Sequence, residues 1–269
     1  MNVKRWLSSI LGLPIVILVL SLGNKYVIDI IFAIIAIIEM YEFFNAIKEE
    51  VKPVKWIGYL SAVLIAFIHI IPNFDLSYIG FYIPIIVAIL FVQSIFTDME
   101  NNFKDIAFTL FGICYIVIFT MCMPLLSGSI TNKVYLWYII IASWGTDIFG
   151  YLIGKTLKEK KHRFSKVSPN KSIEGCICGT VGAVIISITY TIICNKIFQL
   201  NIPYFKFSII TAILSILSQI GDFSASSIKR YVNIKDFGNI IPGHGGMLDR
   251  IDSVIFIAPF TYLLYMVIL

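Results

Sequence analysis

The chain contains 269 residues, of which 58% are hydrophobic and 14% are charged. No water-soluble domain has enough interior to bury so large a share of apolar side chains, so the composition excludes the soluble classes and predicts an integral membrane protein. The formal net charge is +5, and its distribution along the chain is more informative than its size. Nucleic acid is not expected as a partner.

Apolar stretches long enough to cross a membrane recur along the whole chain. A membrane-spanning helix needs roughly 20 mostly apolar residues, because the hydrocarbon core is about 30 Å thick and each helical residue rises about 1.5 Å. Nine stretches meet this requirement, which predicts an all-α, polytopic membrane protein with about nine transmembrane helices. They run approximately over 6–23, 27–47, 56–72, 76–96, 105–126, 134–154, 176–197, 205–228 and 251–269.

Basic residues are unevenly distributed between the two sets of loops. With the N-terminus inside, all of the 21 Lys and Arg residues lie on the cytosolic side except Lys25, Lys133, Lys196 and Lys206. This bias predicts a cytosolic N-terminus. The longest cytosolic loops are 155–175 and 229–250, so a catalytic region is expected in helices six to nine (134–269). Helices one to five (1–133) are expected to form a scaffold.

The loop 155–175 carries seven basic residues and two acidic ones. Its first half is interpreted as an anchor on anionic lipid headgroups. Its second half, Ser168 to Gly175, has turn chemistry leading into helix seven, and hydroxyl groups there can hold phosphate oxygens together with Lys171. Ser168, Lys171 and Ser172 are therefore candidate substrate-binding residues.

Polar residues form one stripe along predicted helix eight, at the three-to-four-residue spacing of a single helical face. The stripe consists of Ser215, Ser218, Gln219, Asp222, Ser226 and Lys229. Hydrogen bonding between helices explains the serines and Gln219 as well as a functional role does. It explains Asp222 less well, because a buried carboxylate in a membrane is costly unless it is paired, hydrated or bound to a cation.

Three further aspartates are expected to converge on Asp222, and Asp147 is expected at the same depth below the cytosolic boundary. Asp147 lies eight residues before Lys155, and Asp222 lies seven residues before Lys229. Asp249 and Asp252 flank Arg250 at the start of helix nine. Carboxylates gathered there would repel one another without a hard cation such as Mg²⁺, which normally shares its remaining coordination sites with substrate phosphates. The four aspartates are therefore candidate metal ligands.

Basic and glycine residues surround these aspartates in the sequence. The basic residues, which would neutralise phosphate charge, are Lys229, Arg230, Lys235, His244 and Arg250. The run from Pro242 to Gly246 contains three glycines, which let the backbone approach an anion and offer N–H groups to it. His244 fits a phosphate contact and a loop-fixing hydrogen bond equally well. Glu39, Glu42 and His69 are interpreted as structural polar contacts.

The segment from Ser226 to Asp252, SSIKRYVNIKDFGNIIPGHGGMLDRID, resembles the signature of phosphatidate cytidylyltransferases, or CDP-diacylglycerol synthases. Upstream, Ser168 to Gly175 resembles the family's Ser-Pro-x-Lys-Thr-x-Glu-Gly, with Ser172 in place of threonine. Asp147, Tyr151 and Gly154 match its Asp-Ser/Thr-x-Ala-Tyr-x-x-Gly segment. The departures are Ile148 and Gly150 within that segment and Ala225 where glutamate is common.

The resemblance implies that CTP and phosphatidic acid react to give CDP-diacylglycerol and pyrophosphate with Mg²⁺, a second cation being left open. It implies cation ligation by Asp222 and Asp249, with Asp147 and Asp252 as outer or alternative ligands. Asp222, Asp249, Lys229 and Arg250 are the expected catalytic residues. The expected substrate-binding residues are Ser168, Lys171, Ser172, Ser226, Arg230, Lys235, Asp236, His244, Gly245 and Gly246.

The expected location is a bacterial inner membrane, with the active site facing the cytosol and the lipids of the bilayer as neighbours. A homodimer is left open. Two other functions compete with this interpretation, a CTP-dependent polyprenol or dolichol kinase and an ion-coupled transporter. A transporter predicts polar residues spread through the membrane thickness, whereas these cluster at the cytosolic end.

Overall fold

A computed structural model defines residues 3–72, 74, 77–156, 167–169, 171–241, 243 and 245–268. Within these ranges the chain is helical and forms no β-strand beyond an isolated bridge between Ile241 and Gly245. The all-α prediction is therefore confirmed.

The helices follow the predicted order closely. They are α1 (Val3–Leu22), α2 (Lys25–Ile47), α3 (Lys55–Leu64), α4 (Ser77–Phe96), α5 (Phe103–Leu125), α6 (Ile130–Ile140, a π-helical segment Ile141–Gly145, and Thr146–Thr156), α7 (Ile173–Phe198), α8 (Tyr204–Tyr231) and α9 (Leu248–Ile268). Capping side chains define several starts. Asn24 accepts a hydrogen bond from the Val27 N–H before α2, and Asn102 and Asp105 form a capping box at α5.

Helix α3 is shorter than the predicted stretch 56–72. It continues only as a 3₁₀ turn, Ile65–Phe67. Beyond that turn the chain is held by the buried Asp29 of α2. Its carboxylate accepts the His69 backbone N–H at 3.2 Å and contacts His69 Nδ1 at 2.7 Å. The structural interpretation of His69 is confirmed, and a membrane span over 56–72 is not.

Five helical segments within the described ranges are long and apolar enough to cross a membrane. They are Ser77–Phe96, Phe103–Leu125, Lys133–Thr156, Ile173–Phe198 and Tyr204–Tyr231. The protein is thus an integral membrane protein, as its composition predicts.

The chain divides into two compact units. The first unit comprises Met1–Gly128 and Tyr231–Ile251, and the second comprises Ser129–Arg230 and Asp252–Leu269. Most of the loop 229–250 therefore belongs to the same unit as the N-terminal helices, whereas the predicted division at 133/134 assigns it to the C-terminal region.

In the second unit, α6 and α7 pack in close contact. A Cβ on Gly182 would lie 2.1 Å from Phe149 Cγ, and one on Gly179 would lie 2.7 Å from the Thr146 carbonyl oxygen. A side chain would meet the α6 backbone at position 179 and the Phe149 side chain at position 182, so glycine permits this close packing, as is common between membrane helices.

The polar stripe of α8 hydrogen-bonds to this α6–α7 pair. Ser215 Oγ lies 2.6 Å from Thr146 Oγ1 and donates to Thr180 Oγ1 at 3.0 Å. Gln219 Nε2 donates to Thr180 Oγ1 and to the Cys176 carbonyl. The interhelical interpretation of Ser215 and Gln219 is confirmed, and these contacts fix the face on which Asp222 follows.

Candidate functional site

Lys171 and Asp222 form an ion pair in the second unit. Lys171 lies just before α7, Asp222 lies on α8, and each side chain is about a quarter exposed. The Lys171 ammonium also sits 5.0 Å from the centroid of the Phe223 ring, a cation–π contact that restricts where it can move. The aspartate is thus neutralised, while both charges remain accessible to a ligand.

The turn from Ser168 to Ser172 places this lysine. The Lys171 N–H donates to the Ser168 carbonyl at 3.2 Å, and the Ser172 hydroxyl caps α7 by accepting the Gly175 N–H at 3.2 Å. The predicted turn into helix seven is confirmed. The buried Ser172 hydroxyl has a helix-capping role that the sequence resemblance did not indicate.

A second group of charges in the same unit is formed by Lys229, Asp252 and Asp147. Lys229 and Asp252 are buried, with 9% and 5% of their surfaces exposed, and both the Lys229 and Asp147 charges act on the Asp252 carboxyl. Asp252 Oδ1 also accepts the N–H of Ser253 at 2.7 Å. Asp147 itself is exposed, directly after the π-helical segment of α6. The buried Asp252 carboxyl is therefore influenced by one positive charge, from Lys229, and one negative charge, from Asp147.

Asp249, in the first unit, organises the loop before α9. Its Oδ2 accepts the N–H groups of Phe237 at 2.8 Å and Gly246 at 3.0 Å, which ties the beginning of the loop to its end. Between them the Ile241 N–H donates to the Gly245 carbonyl at 2.9 Å. Gly243 and Gly245 have φ values of 79° and 93°, which favour glycine. The predicted glycine turn is confirmed, and Pro242 and His244 lie outside the described residues.

The remaining candidate residues are mainly exposed. Ser226 is half-buried on α8, one turn from both Asp222 and Lys229. The exposed side chains are Arg230, Lys235, Asp236 and Arg250. The cations among them, Arg230, Lys235 and Arg250, are accessible to an anionic ligand.

A buried carboxylate on α2 also belongs to the loop's surroundings. Glu42, 1% exposed, accepts the Met247 N–H with Oε1 and the Leu248 N–H with Oε2, both at 2.9 Å. The sequence interpretation of Glu42 as a structural contact is confirmed, but its partner was not foreseen. The available signal was its position near the end of helix two that the sequence predicts to be cytosolic, the side predicted for the loop 229–250.

Comparison with known proteins identifies the chemistry of this family. A family model described as the cytidylyltransferase family matches residues 3–268. The chain belongs to the cytidylyltransferase family. It is similar to a phosphatidate cytidylyltransferase of Staphylococcus haemolyticus, with 31% identity over 264 residues that cover 97% of each protein.

Two further relatives of this cytidylyltransferase carry the same name. A Bacillus subtilis protein is 36% identical over 173 residues, covering 64% of this chain and 61% of the relative. A Thermotoga maritima protein is 34% identical over 182 residues, covering 66% of each. The chain is accordingly a nucleotidyltransferase.

The donor set of the cytidylyltransferase can be tested against Mg²⁺. Among the residues that the structure describes, no three His, Cys, Asp or Glu side chains gather as a metal-binding group. Mg²⁺ needs fewer protein ligands, because it is usually bound through one or two carboxylates while water and phosphate oxygens complete the octahedron. Asp147 and Asp252, whose charges interact, are two carboxylates of this kind, and their ligation of Mg²⁺ stays a prediction. Convergence of all four aspartates stays a prediction.

Proposed function

We propose that this cytidylyltransferase transfers CMP from CTP to phosphatidic acid and forms CDP-diacylglycerol and pyrophosphate. The observation that carries the proposal is that the Lys171–Asp222 ion pair and the interacting charges of Lys229, Asp252 and Asp147 belong to one unit of a membrane protein. Such mixed charges suit a cation-bound triphosphate better than an uncharged substrate. The relatives named phosphatidate cytidylyltransferase support phosphatidate as the acceptor.

The reaction requires positioning and charge stabilisation more than a protein nucleophile. A phosphate oxygen of phosphatidate, already anionic, forms a bond to the α-phosphorus of CTP. The bond from that phosphorus to the oxygen bridging to the β-phosphorus breaks, and pyrophosphate leaves with the electron pair. Cationic side chains stabilise the negative charge that builds up on the phosphates. This division of labour agrees with a site made of lysines and carboxylates.

We assign the roles as follows. Lys171 and Lys229 hold phosphate oxygens, and Arg250 adds positive charge from the start of α9. Asp147, Asp222 and Asp252 are the proposed Mg²⁺ ligands of the second unit. Asp249 is a ligand candidate that also shapes the glycine loop, the segment 232–247 between α8 and α9. When bound, Mg²⁺ supplies charge neutralisation at the phosphates. Further proposed substrate contacts are Ser168, Ser172, Ser226, Arg230, Lys235, Asp236, His244, Gly245 and Gly246.

The membrane arrangement is part of the proposal. Nine spans with a cytosolic N-terminus put the loops 155–175 and 229–250 on the side from which CTP arrives, and the excess of basic residues there supports this orientation. Phosphatidate would enter from the adjacent leaflet. The bacterial origin of the relatives supports the inner membrane as the location.

The test uses purified protein in detergent, Mg²⁺, phosphatidate and CTP labelled on either the α- or the γ-phosphorus. Cytidylyl transfer puts the α-label into a lipid-soluble product and the γ-label into pyrophosphate. A polyprenol kinase would instead put the γ-label into lipid when polyprenol is supplied, and would leave the α-label in CDP. The two labels therefore separate the two functions within one assay.

Asp222→Asn is the informative variant, and Glu100→Gln in an exposed loop is its matched carboxylate control. Wild type and Glu100→Gln should form the α-labelled lipid, whereas Asp222→Asn should form little. The absence of α-labelled lipid with wild-type protein would reject phosphatidate cytidylyl transfer. Full activity of Asp222→Asn would reject the role given to that carboxylate.

A further inference from the structure

We propose that Glu42 is a positioning residue for cytidylyl transfer, acting from α2 on the glycine loop and on the first turn of α9. The inference rests on the proposed function and adds a residue that the signature segment does not contain. Its basis is a carboxylate whose two oxygens both accept N–H groups from Met247 and Leu248, at 2.9 Å each.

The geometry is that of a helix cap supplied by a distant part of the chain. The first four N–H groups of a helix lack intrahelical acceptors, and a carboxylate at that end also interacts favourably with the helix dipole. Helix α9 begins at Leu248, so Glu42 satisfies donors at its very start. Charged acceptors of this kind make hydrogen bonds about twice as strong as neutral ones.

The loop is shaped around this carboxylate. A Cβ on Gly238 would lie 2.5 Å from Glu42 Oε1, and a Cβ on Gly246 would lie 2.6 Å from Oε2. Two glycines from opposite ends of the loop thus leave the space that the carboxylate fills. The contact defines the loop backbone as well as the helix start.

Glu42 connects to the proposed chemistry through Asp249. The Gly246 N–H, which lies next to the Glu42 carboxylate, donates to Asp249 Oδ2 at 3.0 Å. Removal of Glu42 frees the peptide units of Met247 and Leu248, one residue from Asp249 and two from Arg250. We expect the Asp249 carboxylate, which the Phe237 and Gly246 N–H groups hold, then to lose its fixed direction, and the Arg250 backbone N–H to lose its ordered acceptor, the Met247 carbonyl.

Glu39 provides a matched comparison on the same helix. It is also buried, with 0% of its surface exposed, and its Oε2 accepts the Thr120 hydroxyl at 3.1 Å. Glu39 therefore has the burial and the carboxyl group of Glu42, and its hydrogen bond from Thr120 connects it to α5. If the buried glutamates of α2 have a purely structural role, Glu42→Gln and Glu39→Gln should lower kcat to a similar extent.

The experiment compares Glu42→Gln, Glu39→Gln and Gly238→Ala in the full-length protein. Glutamine keeps one acceptor oxygen and presents an NH₂ group to the second backbone N–H, so Glu42→Gln breaks half of the cap without changing side-chain volume. We expect kcat for CDP-diacylglycerol formation to fall about 10- to 100-fold, as for other residues that orient ligands indirectly. Gly238→Ala should lower kcat in the same way, and Glu39→Gln should not.

Amide hydrogen exchange supplies a readout that does not depend on turnover. Glu42→Gln should accelerate exchange in peptides covering 245–250 and leave α4 and α7 unchanged, whereas Glu39→Gln should leave 245–250 protected. Unchanged exchange over 245–250 in Glu42→Gln, or equal loss of kcat in both glutamate variants, would overturn the proposal. If wild type makes no CDP-diacylglycerol, the proposed function fails, and the exchange comparison still decides whether Glu42 positions the loop.

Discussion

The ammonium group of Lys171 pairs with the carboxylate of Asp222 while it lies against the ring of Phe223. The pair joins the turn before α7 to the polar face of α8, and both side chains remain partly exposed. Both charged groups are therefore accessible to a ligand.

The first prediction concerns this pair. Lys171→Met should raise the KM for CTP by about tenfold or more, because it removes a charge-assisted contact to phosphate and leaves Asp222 negative beside the incoming anion. Lys196→Met, at the other end of the same helix, is the control and should leave KM unchanged. Steady-state kinetics with phosphatidate in mixed micelles measures both. An unchanged KM in Lys171→Met would limit Lys171 to a structural role.

The second prediction concerns stability at Lys229. Lys229→Met should destabilise the protein by about 1–3 kcal/mol, since both residues are buried and the Lys229 charge acts favourably on the Asp252 carboxylate. Thermal unfolding in detergent provides the measurement. Arg230→Met changes the neighbouring but exposed cation and should alter the melting temperature little. Equal melting temperatures for Lys229→Met and wild type would show that Asp252 has other compensation.

The third prediction concerns helix packing. Gly182→Ala should lower stability by about 1–3 kcal/mol, because the new methyl group would overlap the Phe149 ring and force α6 away from α7. Gly80→Ala on α4 meets no atom within 4 Å, and the higher helix propensity of alanine should make it neutral or slightly stabilising. Gly182→Ala should therefore lower the melting temperature, whereas Gly80→Ala should leave it unchanged or slightly higher. A stable Gly182→Ala protein would contradict the close packing of these helices.

The fourth prediction concerns Mg²⁺. Chelation should abolish the formation of CDP-diacylglycerol, and added Mg²⁺ should restore it. Asp147→Asn and Asp252→Asn should each raise the Mg²⁺ concentration for half-maximal activity by about tenfold, because each removes a proposed anionic ligand. Glu50→Gln, a change in an exposed carboxylate paired with Lys104, is the control. A Mg²⁺ titration that does not differ from wild type would rule out ligation by that aspartate.

Local sequence patterns predicted the helices well where one physical factor dominates. The uninterrupted apolar run of α4 placed its ends within a residue of the observed Ser77–Phe96. The three-to-four spacing on α8 placed Ser215 and Gln219 on one face, where they meet Thr180. Both signals depend on residues close together in the chain.

Features set by distant residues were not predictable in the same way. The early end of α3 depends on Asp29 holding His69, forty positions away. The partner of Glu42 is more remote still. Burial and depth indicated that this carboxylate needs hydrogen-bond donors, but a single sequence contains no information on which backbone N–H groups supply them. The aspartates and lysines of the site were recognisable because polar side chains are rare and costly in apolar helices.

The contact between Glu42 and Leu248 has a consequence for the order of events during synthesis. The two residues are 206 positions apart, so a ribosome adding about 5–20 residues per second makes the carboxylate roughly 10–40 s before the amide that it binds. During that interval α2 carries an acidic side chain whose final partner does not yet exist. Assembly of the glycine loop is therefore a late, largely post-insertional step, and slow or interrupted translation of the last helix would leave the enzyme inserted but inactive.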